Sequence, residues 1–154
     1  MNDVVTEEAP EHVERRSLII DAPAAEIFDL LADPRRHHTF DGSGTVKESR
    51  MEAPERLEMG SKFGMKMKQY GMPYRITSEV VEFEENERIA WRHMGRHVWR
   101  YTLEPAEGGT KVTEEFDGRP SPIKFALRLA KVPQKNAEAI EQTLVRLRDA
   151  VTAS

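Results

Sequence analysis

Residues 88–118 read RIAWRHMGRHVWRYTLEPAEGGTKVTEEFDG, and this stretch decides the fold class. Much of it alternates between apolar and polar residues with a period of two, which is typical of β-strands that bury one face. Two breaks, Gly95-Arg96 and Gly108-Gly109, contain glycine, whose free backbone torsions suit tight turns. The stretch therefore predicts three consecutive antiparallel strands, at 88–94, 97–104 and 110–117.

The same alternation extends upstream of this stretch, beginning near Ser43. Further turn signals lie at 71–73 (GMP), where glycine frees and proline restricts the backbone torsion φ, and at 85–87 (ENE). These signals predict three more strands, at 45–51, 62–70 and 74–83. The β-forming residues of 14–21 predict one strand ahead of them. The predicted sheet therefore has seven strands.

Two short helices are predicted between the first strand and the second. Asp21 is expected to cap the first helix, because an acidic cap followed closely by proline is a helix-start signal. Apolar residues then recur at helical spacing until Pro34, and the residue before a proline is pushed out of the α region. A short second helical turn is expected at 35–38.

The last part of the chain predicts a long helix. Ser121 is its expected cap and Pro122 its first helical residue. Pro133 removes a backbone hydrogen bond from an unbroken helix, so a kink or a brief break is expected near Val132. Beyond it, one apolar stripe at spacings i, i+4, i+7 and i+11 is formed by Ile140, Leu144, Leu147 and Val151.

Length and composition indicate one folded domain. The chain has 154 residues, 38% of them apolar, and no cysteine, which excludes disulfides, cysteine nucleophiles and thiolate metal sites. Strands and helices are segregated along the chain rather than alternating, so the fold class is α+β. Residues 1–13 are acidic and without periodicity and are expected to form a flexible arm. Residues 14–154 are expected to form the domain.

Charge and hydropathy limit the expected partners and location. The net charge of −4 gives no electrostatic reason to bind nucleic acid. The longest wholly apolar run, 18–20, is too short for a membrane span, and no signal-peptide pattern precedes it, so a cytoplasmic location is expected. His37-His38 lacks metal-ligand spacing; neither a metal nor a cofactor is expected. A homodimer is left open.

Six segments of the chain resemble a known superfamily. They are 20–23 (IDAP), 27–34 (IFDLLADP), 40–44 (FDGSG), 88–91 (RIAW), 99–105 (WRYTLEP) and 109–113 (GTKVT). They resemble the START-like proteins, also called the SRPBCC or helix-grip superfamily, and within it the polyketide cyclase/dehydrase and lipid-transport branch. The resemblance implies a seven-stranded antiparallel sheet curled around the long C-terminal helix, with an apolar cavity between them. A shared fold does not transfer a reaction, so the chemistry depends on the cavity.

The turn at Gly95-Arg96 predicts which side chains face that cavity. Glycine in first position is the signature of a two-residue type II′ hairpin, which pairs Arg92 with Trp99. Directly opposed residues share one face of a sheet. Pairing Leu103 with Val112 on the next strand would then place Tyr101 beside Glu114. It would also place Trp99 beside Phe116. On the strand at 62–70, methionines alternate with lysines, so the methionines are expected to face inward and the lysines to face water. The expected cavity residues are Met65, Met67, Arg92, Trp99, Tyr101, Glu114, Phe116 and Leu127.

A three-residue loop at the same place would change this assignment. In that register Trp91 and His93 replace Arg92 and Met94 on the inner face, and His93 becomes the inward titratable group. We favour the two-residue turn. The catalytic residue, if a reaction occurs, is unknown, and the candidates for general acid or base are Tyr101, Glu114 and His93. For each aromatic residue and methionine, core packing is the competing interpretation.

Three function classes follow from this reading of the sequence. The leading hypothesis is a non-catalytic carrier or sensor that encloses a hydrophobic small molecule, such as a lipid, a polyketide or an aromatic metabolite. The alternative is a cyclase/dehydratase-type enzyme that uses the same cavity, since positioning alone gives large rate factors. A third class, an interaction module that acts through its outer surface, is suggested by the resemblance to co-chaperone domains of the superfamily.

Overall fold

Eight strands among the described residues form one antiparallel sheet, in the spatial order β1-β2-β8-β7-β6-β5-β4-β3. The computed structural model describes residues 3–40, 46–49, 56–69, 72–92, 96–129 and 131–152, with the backbone alone at 35, 38–39, 46–49, 65–69, 72–76, 127–128 and 132–133. The strands are β1 (Val5–Thr6), β2 (Val13–Ile20), β3 (Val46–Ser49), β4 (Lys62–Gln69), β5 (Met72–Glu84), β6 (Arg88–Arg92), β7 (Val98–Ala106) and β8 (Gly109–Asp117).

Helices follow the first long strand and close the chain. They are α1 (Ala24–Leu31), a 3₁₀ helix (Pro34–Thr39), α2 (Lys124–Leu129) and α3 (Val132–Thr152). The seven strands β2–β8, the two short helices after β2 and the C-terminal helix confirm the predicted α+β helix-grip architecture. The predicted cap is wrong, because the N-cap position of α1 is Pro23 and makes no side-chain hydrogen bond.

The first residues of the chain include a short strand inside the expected flexible arm. Val5 of β1 pairs with Ser17 of β2. The Ser17 hydroxyl donates to the Glu7 carboxylate at 2.6 Å, and the Lys111 ammonium lies 3.2 Å from it. These hydrogen bonds from Ser17 and Lys111 lower the pKa of Glu7. The expectation of a flexible arm therefore does not describe Val5 to Glu7.

The pairing of β6 with β7 differs from the favoured prediction. Trp91 pairs with Trp99, and Arg92 pairs with Val98, so the two-residue turn at Gly95-Arg96 is wrong. The observed register is the one described above for a three-residue loop, which places Trp91 on the inner face. A shift of one residue moves every side chain to the other face of a strand. The observed register buries Ile89 and Trp91 and leaves Arg92 exposed, whereas the predicted one would have buried an arginine.

The pairing of β7 with β8 agrees with the prediction. Leu103 pairs with Val112, and the rows Tyr101–Glu114 and Trp99–Phe116 follow from it. At the turn, Gly108 and Gly109 take φ values of 91° and 139°, which L side chains rarely adopt. The hairpin signal in the sequence therefore specified both the turn and the register here.

The C-terminal helical segment is broken where Pro133 predicts a break. Helix α2 ends at Leu129 and α3 begins at Val132, and Lys131 between them takes a positive φ of 59°. A proline near a helix start costs little, because the first backbone N–H groups have no partner within the helix. The predicted helix start is wrong, because α2 begins at Lys124 and Pro122 lies in the turn before it; the Ser121 hydroxyl accepts a hydrogen bond from the Ile123 N–H of that turn at 3.3 Å.

The core lies between the inner face of the sheet and helices α1 and α3. On α3, Ile140, Leu144 and Leu147 are fully buried and Val151 is half-buried, which confirms the predicted apolar stripe. Helix α3 packs mainly against β2 and β8. From the sheet, the core receives Leu18, Ile20, Phe63, Val80, Ile89, Trp91, Tyr101, Leu103, Val112 and Phe116.

Candidate functional site

Two adjacent rows of side chains cross the inner face of the sheet. The first row is aromatic, because the pairings place Trp91, Trp99 and Phe116 side by side on β6, β7 and β8. The second row is mainly polar and contains, from β6 to β2, Ile89, Tyr101, Glu114 and Arg16. The inner face therefore places a polar strip directly beside an aromatic one.

Ring contacts hold the aromatic row together. The Trp99 and Phe116 ring centroids are 5.1 Å apart with an interplanar angle of 61°, and Trp91 and Tyr101 are 5.5 Å apart. Phe63 of β4 meets Trp91 edge-on at 5.7 Å. Offset and edge-to-face contacts at these separations are favourable beyond the apolar area that they bury. Ring contacts therefore link Trp99 to Phe116 on one side of the inner face, and Trp91 to Tyr101 and Phe63 on the other.

His37 of the 3₁₀ helix covers the middle of this row. Its ring stacks on Trp91, with centroids 4.9 Å apart and an interplanar angle of 21°, and it is 2% exposed. The Nε2 atom lies 2.8 Å from the backbone oxygen of Leu31. A carbonyl oxygen only accepts, so Nε2 carries the proton of this hydrogen bond. In the neutral ring Nδ1 is then the lone-pair atom, which could accept a proton or a hydrogen bond.

The polar row combines a phenol, a carboxylate and a guanidinium. Tyr101 and Glu114 are directly opposed on β7 and β8 and are 4% and 2% exposed. Arg16 is opposed to Glu114 on β2. Its Nε donates to the Glu141 carboxylate of α3 at 3.2 Å, and Nη1 donates to Glu14 at 3.4 Å. Arg16 therefore ties the sheet to the C-terminal helix at the level of Tyr101.

Solvent reaches the inner face at Trp99. Its neighbour in the row, Phe116, is 1% exposed, whereas Trp99 is only partly buried. Beside them, the His97 ring lies 5.1 Å from the ring of Phe116. Burial of His97 disfavours its charged form and lowers its pKa. Trp99 is thus the solvent-accessible member of the row, and its neighbours Trp91 and Phe116 on either side are buried.

The structure brings together four of the residues expected to line a cavity. Trp99, Tyr101, Glu114 and Phe116 share the inner face. Arg92 does not join them: its guanidinium faces outward and pairs with Glu79 at 3.0 Å, because the β6 register is shifted by one residue. Arg92 therefore lies apart from the other four expected residues.

Four further expected positions cannot be placed in the site. The side chains of Met65, Met67 and Leu127 lie outside the described residues, and so does His93 as a whole. Their roles in the site stay predictions.

Reasoning from the sequence missed Arg16 and His37. The signal for Arg16 lies in the strand itself, because the period of two that carries Leu18 inward also carries Arg16 inward. His37 was weighed only as a metal ligand. No spacing rule places a residue of a short 3₁₀ helix against a strand, so the sequence contains no signal for its position.

The described ranges contain neither a metal-binding cluster nor a membrane-spanning helix. No group of three or more His, Asp or Glu residues there could hold a metal ion. No helix of that part of the chain is long and apolar enough to cross a bilayer.

Comparison with known proteins identifies the family. A sequence model described as polyketide cyclase / dehydrase and lipid transport matches residues 12–152, nearly the whole chain. The chain belongs to this family. One relative is the uncharacterized protein Rv0088 of Mycobacterium tuberculosis, which is 43% identical over 154 residues that cover 97% of this chain and 68% of the relative.

Solved structures share the fold of this polyketide cyclase/dehydrase and lipid-transport family member. Protein NE0264 of Nitrosomonas europaea has a TM-score of 0.75 at 14% identity, covering 95% of this chain and 97% of that one. A polyketide cyclase-like protein of Corynebacterium glutamicum, Cgl2372, has a TM-score of 0.61 at 24% identity and covers 90% of both chains. At these identities the likeness establishes the fold alone.

Proposed function

We propose that this protein binds a hydrophobic small molecule with a polar end, such as a lipid, a polyketide or an aromatic metabolite, as a carrier or sensor. The observation that supports this most is the aromatic row beside the polar row on the inner face. Apolar and aromatic walls with a few polar groups are the usual composition of a small-molecule site. The family description, polyketide and lipid chemistry, agrees with that class.

The aromatic row and the polar row would bind different parts of the ligand. Trp99 and Phe116 would bury the apolar part of the ligand, which contributes roughly 25 cal/mol per Å² removed from water. Tyr101 and Arg16 would orient the polar end. Arg16 takes the role first expected of Arg92, because its side chain is only 13% exposed and lies at the sheet-to-helix junction.

The ligand would lie between the inner face and α3 and would enter beside Trp99. Trp99 marks the entrance, since it is the member of the aromatic row that is only partly buried. Truncation of Trp99 should therefore weaken binding more than it weakens the fold, because a partly exposed side chain contributes less to the core than a buried one.

The proposal is tested with an apolar fluorescent probe. Uptake of 1-anilinonaphthalene-8-sulfonate should weaken at least about fivefold in Trp99→Ala. Ile19→Ala is the matched control, because it removes an apolar side chain that is 50% exposed on the outer face of the sheet. Urea unfolding must show that both variants remain folded. Unchanged uptake by Trp99→Ala would count against the proposed site.

A second candidate function rests on the Tyr101–Glu114 pair. A buried phenol beside a buried carboxylate can relay a proton, and His37 places an imidazole against the neighbouring row. A cyclase/dehydratase-type enzyme would use these groups while the pocket folds a reactive poly-ketone. Incubation of poly-β-ketones with wild type and with a Tyr101→Phe, Glu114→Gln double variant decides this. Equal product from both proteins would eliminate these residues as acid and base.

The identity of the ligand requires a direct measurement. Native mass spectrometry of the protein, purified from its own host, should show a co-purified molecule with a long apolar part. Protein that carries no such molecule and takes up no probe would argue for the third class, an interaction module.

A further inference from the structure

Helix α2 and the turn before it expose large apolar side chains. The exposed fraction is 52% for Ile123, 66% for Phe125 and 88% for Leu129. Phe125 and Leu129 are four residues apart on the helix and therefore lie on the same side. Single exposed apolar residues are normal on protein surfaces, whereas several together usually mark an interaction site. Three such residues within seven positions form what we call the α2 patch.

The α2 patch belongs to an anchored segment. The Gly118 N–H donates to the backbone oxygen of His12 at 2.8 Å, just before α2. The His12 ring packs edge-on against Phe125 with centroids 5.2 Å apart. These contacts attach one edge of the Phe125 ring to the domain and leave two thirds of the side chain exposed. The apolar groups are thus presented outward by a segment with defined contacts.

The α2 patch lies in a stretch of the sequence without acidic residues, although one of its cations, Arg119, pairs with Asp117 at 2.8 Å. Between Asp117 and Glu138 the sequence contains no acidic residue, although the whole chain has a net charge of −4. Its five cationic residues are Arg119, Lys124, Arg128, Lys131 and Lys135. Lys131 and Lys135 are exposed, and the Lys124 ammonium lies 5.6 Å from the centre of the Phe125 ring. An acidic protein therefore presents one cationic surface segment with exposed apolar residues at its centre.

We propose that the α2 patch docks the protein onto anionic lipid membranes. Exposed Phe and Leu side chains on a short helix can enter the boundary between headgroups and acyl chains. Lys124, Lys131 and Lys135 would lie among anionic headgroups, with their aliphatic stems along the apolar surface. This inference stands apart from the proposed ligand, because it depends only on surface residues.

An anionic membrane fits the α2 patch better than another polyanion does. A nucleic acid would satisfy the cations, but it would leave Ile123 and Leu129 in contact with water, since neither side chain stacks on bases. A lipid surface satisfies both features, because it combines negative charge with apolar chains beneath it.

Vesicle sedimentation tests the proposal with the full chain. Wild type should bind vesicles that mix phosphatidylcholine with phosphatidylglycerol, bind phosphatidylcholine alone at least about tenfold more weakly, and lose affinity as salt rises. The Phe125→Ser, Leu129→Ser double variant should lose binding to the mixed vesicles. Met59→Ser is the matched control, because Met59 is 63% exposed in the turn before β4, away from the α2 patch in the sequence.

The contribution of the lysines and the insertion of residue 125 into the membrane are tested separately. Lys131→Gln with Lys135→Gln should weaken binding to the mixed vesicles, whereas Lys62→Gln, an exposed lysine on β4, should not. In Phe125→Trp, the tryptophan emission should shift to shorter wavelength when mixed vesicles are added and stay unchanged with phosphatidylcholine alone.

Three results would overturn the inference. The first is no binding of wild type to mixed vesicles at low salt. The second is equal binding by the Phe125→Ser, Leu129→Ser variant, checked to be folded by circular dichroism. The third is a wild-type dimer in sedimentation that this variant converts to monomer without any vesicle binding, because the patch would then be covered by a second copy of the chain.

Discussion

The imidazole of His37 lies flat on the indole of Trp91, with ring centroids 4.9 Å apart and an interplanar angle of 21°. This contact joins the 3₁₀ helix to the centre of the sheet. It also depends on the β6 register, because only the observed pairing turns Trp91 toward the helix. A polar ring is thus held within the aromatic row, where its hydrogen bond to Leu31 satisfies Nε2.

His37→Ala should lower the free energy of unfolding by about 2–4 kcal/mol. The substitution removes a buried ring and leaves the Leu31 carbonyl without its hydrogen bond. Urea denaturation measures the loss. Glu138→Ala, at an exposed position on α3, is the control and should change stability by less than about 0.5 kcal/mol. A His37→Ala variant as stable as this control would show that the stacked ring does not support the fold.

Arg100→Met should destabilise the protein by about 3 kcal/mol. The Arg100 guanidinium is 17% exposed on the outer face and contacts the carboxylates of Glu82, Glu115 and Asp117. Burial alone would lower the pKa of Arg100, but these three carboxylates raise it. Removing the cation would take from Glu82 its shortest ion pair, whereas Glu115 keeps Arg15 and Asp117 keeps Arg119. Urea unfolding at pH 7 measures the effect.

Arg92→Met is the matched comparison for Arg100→Met and should cost at most about 1 kcal/mol. Arg92 pairs with Glu79 on the same outer face, but the side chains are 44% and 37% exposed, so water screens the pair. A loss at Arg92 as large as that at Arg100 would contradict the outward placement of Arg92.

The free energy of unfolding should fall as the pH drops below about 6.5, and His97 should account for part of this fall. Burial lowers the pKa of His97 in the folded protein, so the unfolded chain binds a proton first. Between the two pKa values the unfolded state holds more protons, and the free energy of unfolding falls with a limiting slope of about 1.4 kcal/mol per pH unit. His97→Gln should remove this part of the slope. A nuclear magnetic resonance titration midpoint for His97 at or above 6.5 would refute the prediction.

Gly109→Ala should cost about 3 kcal/mol or more, whereas Gly108→Ala should cost about 1 kcal/mol. Both glycines have positive φ. A Cβ at 109 would overlap the backbone oxygen of Ile20, whereas one at 108 would lie 3.9 Å from the nearest atom of Ile19. Backbone atoms of a paired strand cannot move aside easily. Equal losses at the two positions, measured by thermal unfolding, would contradict this difference.

The sequence predicted the β7–β8 hairpin and failed on the β6–β7 hairpin for one physical reason. At Gly108-Gly109 the turn and the alternation of the flanking strands point to the same register, and the structure has it. At Gly95-Arg96 the turn signal and the burial of the flanking strands favour different registers. The glycine favours a two-residue turn, while burial of Ile89 and Trp91 requires the other register. Burying two large apolar side chains outweighs a preferred turn type.

The sequence alone determined the strand and helix pattern, the α+β class, the break before Pro133 and the inward row that contains Tyr101 and Glu114. Each of these depends on neighbouring residues or on one hairpin, where spacing and turn chemistry act directly. Only the tertiary structure decided that Arg92 faces outward, that Arg16 joins the sheet to α3 and that His37 covers Trp91. Those placements depend on contacts between residues far apart in the chain, where burial of apolar surface competes with every local preference.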